Sequence, residues 1–568
     1  MTIRNSTPAE PIENLAIGRL IEVDGTRIVA ELDPAITDLS RVYAGEAYPI
    51  GQFGSIVRVH FGKRIIYALV SRLRMKNEFE AERGMGVIAR PDERIIEADL
   101  FGEGEWTRDG GASEWRLEFQ RGVATYPLPQ QTVYMTPKAE LRILYKQGTG
   151  STIAIGEHVG SGGAPCYANL NDLLGKHTAI LGSTGSGKSA AVAAMIHSII
   201  DFGKVTNCAD WNPRIIILDP HDEYSGAFPN HSKLCTDDGS LSLPYWILSF
   251  QETLSLILGK TEFVATSQAN IIKSALLKSR QSGARGIGVD QNKITVDSPV
   301  PYSLDEFRQT VDTGTGKPTA QSGQTSWLSV LEKLDTLRAD RRLDFLMNNW
   351  VASAADPLPG VLTQLVGGVA QPRVVDLSGV PNEVAGICSA VIARTLFSLK
   401  VWQKSEEREK DPVLLVCEEA HRYVPNRGEA QYEAAQEAIR RIAKEGRKYG
   451  VGLLLVSQRP SEVEDTVLSQ CNSWLVLRIT NDSDREHVRS ILPDAMAGLT
   501  KMLSGLRRRE AIFLGQAAVL PSRIMIRELA KDLLPRSKDI EFDKGWINPP
   551  LDGTDLKTLG NRWRYQQR

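Results

Sequence analysis

The pattern of apolar and polar positions divides the chain in two. Up to about residue 150, apolar residues come in short runs separated by Gly-containing turns. Arg19 to Glu22 and Arg27 to Leu32 flank Asp24-Gly25, a strong hairpin signal. Ser55 to Phe61 and Arg64 to Ser71 flank Gly62-Lys63, a second hairpin candidate. Further short strands are predicted at Gly86 to Ala89, Trp115 to Phe119 and Gln131 to Met135. Such spacing predicts an all-β region over residues 1–150. It is either a small closed barrel, which leaves no strand edge free, or an open sandwich.

From about Leu141 the pattern changes to apolar strands alternating with helices. Buried strands are predicted at Thr178–Leu181, Arg214–Leu218, Val413–Cys417, Val451–Val456 and Trp474–Ile479. Several are apolar almost throughout, as in a parallel sheet covered on both faces. The prediction for residues 151–520 is an α/β core with a parallel sheet, doubly wound. A stretch from about Phe250 to Asp356 interrupts it and reads as an inserted helical subdomain, with helices at Ser267 to Arg280 and Ser326 to Leu337. Its Gly/Ser/Thr-rich piece Asp312 to Thr325 reads as a mobile loop. A tail, residues 521–568, carries strand-like Arg523–Ile526 and a short helix near Glu528–Leu533. Trp546 and Trp563 in this polar tail need a surface to bury against, on this subunit or a neighbouring one.

Composition narrows the class. A chain of 568 residues is long enough for roughly three domains. Its 42% hydrophobic content is that of a folded globular protein, and a net charge of -2 excludes a globally basic surface. Any nucleic-acid contact must then rely on locally focused positive charge. The six cysteines (Cys166, Cys208, Cys235, Cys388, Cys417 and Cys471) are scattered and form no Cys-x-x-Cys pair. They suit neither a zinc site nor a disulfide framework, and they point to a reducing compartment. No apolar run approaches the ~20 residues of a membrane span. Met1 to Glu10 lacks a basic segment followed by an apolar one. The expectation is a cytoplasmic protein with no membrane contact.

The chemistry gathers at two places. Gly182-Ser183-Thr184-Gly185-Ser186-Gly187-Lys188-Ser189 matches the phosphate-binding P-loop pattern, between a predicted strand and a predicted helix starting at Ala190. The glycines let backbone N–H groups curl around a phosphate, and the helix start adds positive partial charge. Lys188 would reach the β- and γ-phosphates of ATP, and Ser189 would ligate Mg²⁺. The second place is Val413-Leu414-Leu415-Val416-Cys417-Glu418-Glu419-Ala420-His421, where an apolar strand delivers two acids at its carboxyl end. Ligands sit at that edge in α/β sheets. Glu418 would organise Mg²⁺, through water or slightly displaced because Glu is longer than the usual Asp. Glu419 would be the base that polarises the attacking water.

Three further candidates follow. Gln458, in Ser457-Gln458-Arg459-Pro460, would sense the γ-phosphate; alternatively its amide serves the loop backbone. The helix predicted across Glu433 to Tyr449 buries Ala435, Ile439, Ile442 and Gly446, while Arg440, Lys444, Arg447 and Lys448 crowd another face. These cations complement the helix dipole, or Arg447 acts as an arginine finger entering the next subunit's ATP site. Asp219-Pro220-His221-Asp222-Glu223-Tyr224 places more acids at the catalytic edge, in a supporting role around the nucleotide rather than as a transition-metal site.

Together these residues resemble the HerA branch of the HerA–FtsK ATPases. The resemblance runs from Gly175 through the P-loop and Leu218–Tyr224, Leu243-Pro244-Tyr245-Trp246 and Cys417–His421. It continues through Glu445-Gly446-Arg447-Lys448-Tyr449-Gly450 into Ser457–Pro460. It implies a RecA-like P-loop ATPase core behind an N-terminal HAS-like β-barrel. It also implies a homohexameric ring around a central pore and ATP-driven translocation of double-stranded DNA. A partner nuclease or a sirtuin-like NAD-hydrolase, in antiphage defence or DNA end processing, is implied as well. It favours Arg447 as the finger, with Arg142 a second candidate. The family commonly has Gly where this chain has Asp222, which adds charge near the site and puts the role of Glu223 in doubt. Pore contacts are expected from the Ala284–Lys293 loop or near Arg427. A ring scaffold that assembles and activates a partner enzyme, with DNA transport secondary, is the alternative; a protein-export motor is the third reading.

Overall fold

The structure is a computed structural model. It describes residues 10–565 apart from 37, 85–92, 109–114, 146–149, 160–162, 237, 259–265, 316–320, 352–354, 369–371, 381, 427–432, 493–498 and 537–540.

The N-terminal region is a closed barrel. Strands β1 (Ala16–Asp24) and β2 (Arg27–Leu32) form the first hairpin, and β3 (Ser40–Tyr43) pairs with β4 (Glu46–Pro49) as a separate ribbon. They are followed by β5 (Ile56–Phe61), β6 (Arg64–Met75), β7 (Arg94–Thr107), β8 (Arg116–Arg121) and β9 (Thr132–Met135). The order β2-β1-β9-β5-β6-β7 closes on itself because β2 also pairs with β7, and β8 extends β7 outside the ring. Closure removes the free edges, so the open sandwich is not the answer. Both predicted hairpins form, with Gly25 (φ +54°) and Gly62 (φ +62°) in the left-handed region that a tight turn requires. The strand expected at Gly86 to Ala89 lies outside the described residues.

Strand β7 escapes sequence reading because acids interrupt it. It alternates nonetheless, with Ile95, Ile96, Ala98, Leu100 and Trp106 buried. Buried Glu97 is tolerated because Arg74 approaches it at 2.7 Å and Arg27 pairs with it as well. The helix Lys138–Leu144 leads out of the barrel and is fastened by a buried trio. Glu140 accepts a hydrogen bond from the Tyr67 hydroxyl at 2.6 Å and pairs with Arg58.

The core sheet contains β10 (Thr152–His158), β11 (Ala164–Asn169), β12 (Thr178–Leu181), β13 (Arg214–Asp219), β14 (Ser232–Cys235) and β15 (Arg373–Asp376). It also contains β16 (Val413–Cys417), β17 (Val451–Ser457), β18 (Ser473–Leu477), β19 (Glu510–Gly515) and β20 (Ser522–Ile526). The eleven-stranded order is β11-β10-β20-β19-β18-β12-β17-β16-β13-β15-β14. From β18 to β14 the strands run parallel; from β18 to β11 they run antiparallel. The architecture is a RecA-like P-loop core with a mixed sheet, and every strand expected to be buried lies in its parallel part. Strand β20 sits inside the sheet, so the segment expected to open the tail at residue 521 begins within the core.

Helices between β14 and β15 form the insertion: Phe250–Leu258, Thr266–Gly286, Leu304–Thr315, Gln321–Ala339 and Asp344–Met347. Arg280 is wholly buried there, and its guanidinium donates to the carbonyls of Trp246, Leu248 and Val296. The stretch expected to be a loop from Asp312 to Thr325 is largely the facing ends of two helices, with 316–320 outside the described residues.

One helix, Asn382–Trp402, contains an 18-residue window, Ala385–Trp402, long and apolar enough to cross a membrane (mean hydropathy 1.3). This differs from the expectation that no apolar run comes close. The window is 61% buried inside the protein, with Val391, Ile392, Leu396 and Phe397 in the main core. It is a core helix by that measure. The tail ends in the helices Phe542–Trp546 and Gly553–Tyr565, where Trp546 and Trp563 remain 81% and 78% exposed. Neither tryptophan buries on its own subunit. Cys166, Cys235, Cys388, Cys417 and Cys471 are buried, Cys208 is exposed, and none is bonded to another.

Candidate active site: the phosphate loop and the β16 glutamates

Strand β12 is apolar and buried from end to end, and its chain turns through residues 182–187 into the long helix Lys188–Val205. Gly185 (φ +74°) and Gly187 (φ +96°) take left-handed conformations that a side chain would strain. Gly182 is demanded by space instead, since a Cβ there would stand 2.8 Å from Ser186 Oγ and 2.9 Å from Leu477 Cβ. Neighbouring strands pin the loop. Gly182 N donates to Ser457 O at 3.2 Å and Ser183 N to Arg478 O at 2.9 Å. The loop is thus held in a fixed shape ahead of the helix N-terminus, as a phosphate-binding loop requires.

Strands β12 and β16 both border β17, so their carboxyl ends open on the same sheet edge. Lys188 Nζ stands 3.4 Å from Glu419 Oε1 and 3.9 Å from Glu418 Oε1, all three side chains being nearly buried. Two segments some 230 positions apart in the chain thus share one pocket. Burial pushes the Glu418 carboxyl up to about 8; Lys188 opposes this, while Glu419, Glu223 and Asp219 add to it. Glu418 Oε2, Glu223 Oε2 and Ser186 Oγ are buried without a hydrogen-bond partner. A cluster of acids that one lysine cannot satisfy fits a divalent cation, with Ser189 and Glu418 as the groups that would hold Mg²⁺. Among the described residues no set of three or more His, Cys, Asp or Glu could hold a metal by itself. That suits Mg²⁺, which retains water and phosphate oxygens among its ligands.

Glu419 carries a backbone φ of +53°, unusual for a non-glycine residue and characteristic of functional turns. His421 Nδ1 lies 3.3 Å from both Glu419 Oε2 and Ser457 Oγ. Burial lowers the pKa of His421, so the ring is neutral at pH 7 and steadies the glutamate without charge. Sequence reasoning quoted His421 but assigned it no role; the signal was its place two residues after Glu419, in the first turn beyond the strand. Gln458 leaves β17 beside the loop, where Thr184 Oγ1 donates to its Oε1 at 2.6 Å. The amide is therefore held at the loop's mouth.

The acids after β13 separate by role. Asp219 is fully buried and accepts from Tyr224 N at 2.9 Å and His221 N at 3.1 Å. Burial raises it to about 6 against those bonds. Its carboxyl therefore shapes the turn. Asp222 is paired with Lys233 at 3.0 Å and accepts a hydrogen bond from Ser225. The charge it adds is neutralised there.

Two expected residues stand apart from this pocket. Arg447 is exposed near the C-terminal end of the helix Glu433–Tyr449, which leads into the start of β17. The phosphate loop lies at the opposite edge of the sheet, so Arg447 cannot serve its own subunit's Lys188. Arg142, on the helix leaving the barrel, is 63% exposed and 3.9 Å from Glu46. Of the residues expected near the pore, Ala284 is buried at a helix end, Lys293 is exposed, and Arg427 lies outside the described residues.

The sequence is similar to those of known proteins. Residues 153–396 match the family described as "Helicase HerA, central domain". The DNA double-strand break repair helicase HerA of Pyrococcus furiosus is 26% identical over 387 residues, covering 63% of this chain and 66% of that protein. The protein of the same name from Saccharolobus solfataricus is 25% identical over 404 residues, covering 71% of this chain and 73% of its own. A probable helicase of Methanocaldococcus jannaschii is 26% identical over 423 residues, covering 71% and 75%. Among solved structures, VirB4 of Thermoanaerobacter pseudethanolicus aligns with a TM-score of 0.46 at 17% identity, covering 68% of this chain and 99% of that one. The plasmid coupling protein TrwB in complex with ADPNP aligns at 0.44 and 12%, covering 69% and 93%. The phosphate loop thus lies inside a segment that matches the HerA central domain, and the paired glutamates that face it follow just beyond the matched residues.

Proposed function

We propose that this chain is the ATP-hydrolysing subunit of a homohexameric ring that translocates double-stranded DNA. In this reading it is cytoplasmic and works with a partner nuclease or sirtuin-like NAD-hydrolase in antiphage defence or DNA end processing. The observation that carries the catalytic part is the approach of Glu418 and Glu419 to Lys188 at one sheet edge. The DNA part is supported by relatives named as DNA double-strand break repair helicases.

Lys188 stands between the carboxyl groups of Glu418 and Glu419. An incoming triphosphate draws it forward to the β- and γ-oxygens, where the loop's N–H groups complete the cradle. Mg²⁺ held by Ser189 and Glu418 would neutralise phosphate charge. Glu419, released from Lys188 and steadied by His421, accepts a proton from the attacking water. Gln458 exchanges its bond with Thr184 for one to the γ-phosphate, so its position reports whether that phosphate is present. Arg447 of one subunit enters the next subunit's site, which makes turnover depend on the assembled ring. With a net charge of -2, DNA contact must come from local cations lining a pore and must weaken with salt.

The test is ATP turnover by the purified chain with and without duplex DNA, across a salt series. Stimulation that fades with salt supports the motor. Turnover indifferent to duplex DNA yet raised by a co-purifying effector enzyme favours the scaffold. No turnover under either condition overturns the reading.

A further inference from the structure

Strands β18 and β19 flank β12 on the side away from β17 and β16. The groups suited to γ-phosphate chemistry leave the β16–β17 side. The other flank of the phosphate loop is closed by three consecutive arginines just before β19. Arg509, at φ +69°, donates its N–H to Ser186 O at 3.2 Å and so clamps the loop. Its side chain is occupied, bonded to Ile526 O at 3.1 Å and paired with Glu528 at 3.2 Å. Arg507 points to Glu510 at 3.9 Å. The middle residue, Arg508, is exposed and has no ion pair or hydrogen bond among the described residues. Its Cγ lies 3.8 Å from where a Cβ on Gly187 would sit.

A free guanidinium fastened by its neighbour's backbone at the last turn of a phosphate loop has one evident use. Lys188 already faces Glu418 and Glu419 and cannot by itself balance a triphosphate, so the site needs further positive charge. Arginine matches phosphate geometry better than lysine. The topology decides which phosphate. Arg508 approaches from the β18–β19 flank, opposite the acids and Gln458, and so meets the part of the nucleotide that is not transferred.

We propose that Arg508 is a nucleotide-binding residue that holds the α-phosphate side of the nucleotide in its own subunit's site. This rests on the reading that the site binds ATP. A contact made equally in substrate and transition state changes affinity without changing the chemical step. Arg508→Ala should therefore weaken ADP and the non-hydrolysable analogue AMP-PNP by the same factor. A charge-assisted hydrogen bond predicts a loss of roughly 10- to 100-fold. KM for ATP should rise while kcat at saturation changes little. Arg508→Lys should recover only part of the affinity, because a point charge cannot replace the planar fork.

The experiment is calorimetric titration of the full chain with Mg·ADP and Mg·AMP-PNP, alongside steady-state kinetics, for wild type, Arg508→Ala, Arg508→Lys and Lys188→Ala. Equal losses for both nucleotides support the assignment. The inference alone fails if Lys188→Ala loses binding while Arg508→Ala binds both nucleotides as wild type does. It fails equally if only AMP-PNP is weakened, which would put Arg508 on the γ-phosphate. A wild-type chain that binds neither nucleotide overturns the ATP reading and this inference together.

Discussion

Replacing Glu418 by Gln should stabilise the nucleotide-free protein while damaging its function. This carboxyl is 2% exposed and titrates at about 8, against an ordinary value of 4.5, chiefly because burial penalises its charged form. The unfolded chain holds it ionised above pH 4.5, whereas the folded chain holds it protonated until about pH 8. Between these limits the folded state binds the extra proton, so stability falls as pH rises, by about 1.4 kcal/mol per pH unit. At pH 7 the accumulated cost is roughly 3 kcal/mol. Gln has nearly the same shape and no charge to bury, and Lys188 keeps Glu419 as its partner. Thermal unfolding without Mg²⁺ or nucleotide should show Glu418→Gln melting higher at pH 7.5, by roughly 3 °C. The advantage should almost vanish at pH 5. Nucleotide binding should meanwhile lose its Mg²⁺ dependence. A melting difference that is absent, reversed or independent of pH refutes the claim that an uncompensated buried acid is stored at this site for a metal.

Three other outcomes follow from the same geometry. Glu419→Gln should bind ATP yet lose turnover by roughly 10²- to 10⁴-fold, as removal of a general base does; single-turnover hydrolysis checks this, and retained turnover refutes the assignment. Arg447→Ala should lower turnover by about 10³-fold, yet rings mixed with Glu419→Ala subunits should regain part of it, because each restores what the other lacks. Mixtures that stay inactive count against a finger acting between subunits. His177, at φ +57°, accepts a hydrogen bond from Leu453 N at 3.1 Å, and burial depresses its pKa to about 4. The unfolded chain binds this proton below 6.5, so its contribution is lost as pH falls from 6.5 towards 4, by up to about 3 kcal/mol. His177→Asn keeps an acceptor and tolerates that backbone. Urea unfolding should show wild type losing ground to the variant between pH 7 and 4.5, and a constant gap would contradict the titration.

The local chemistry of the site was legible in the order of residues. A phosphate loop needs glycines at set positions for left-handed turns and close approach, and those demands are met within eight consecutive residues. Parallel strands buried on both faces carry unbroken apolar runs, so β12, β13, β16 and β17 announce themselves. Strands whose apolar runs are broken or cut short by charged residues, such as β7 and β15, did not. Strand β7 carries Glu97, acceptable only because arginines from β2 and β6 neutralise it, and β15 begins and ends in charged residues. Their partners are distant in sequence, so no local pattern could reveal them.

That a nucleotide site of this class exists could be read from residue order alone, because such a site is specified by short stretches with strict conformational needs. The folded chain was needed to see that the barrel closes, that Asp222 pairs with Lys233, and that Arg447 and Lys188 stand at opposite edges of the sheet. It alone placed Arg508 against the loop. These outcomes depend on which strands become neighbours, and strand pairing is set by the packing of the whole core rather than by any segment read alone.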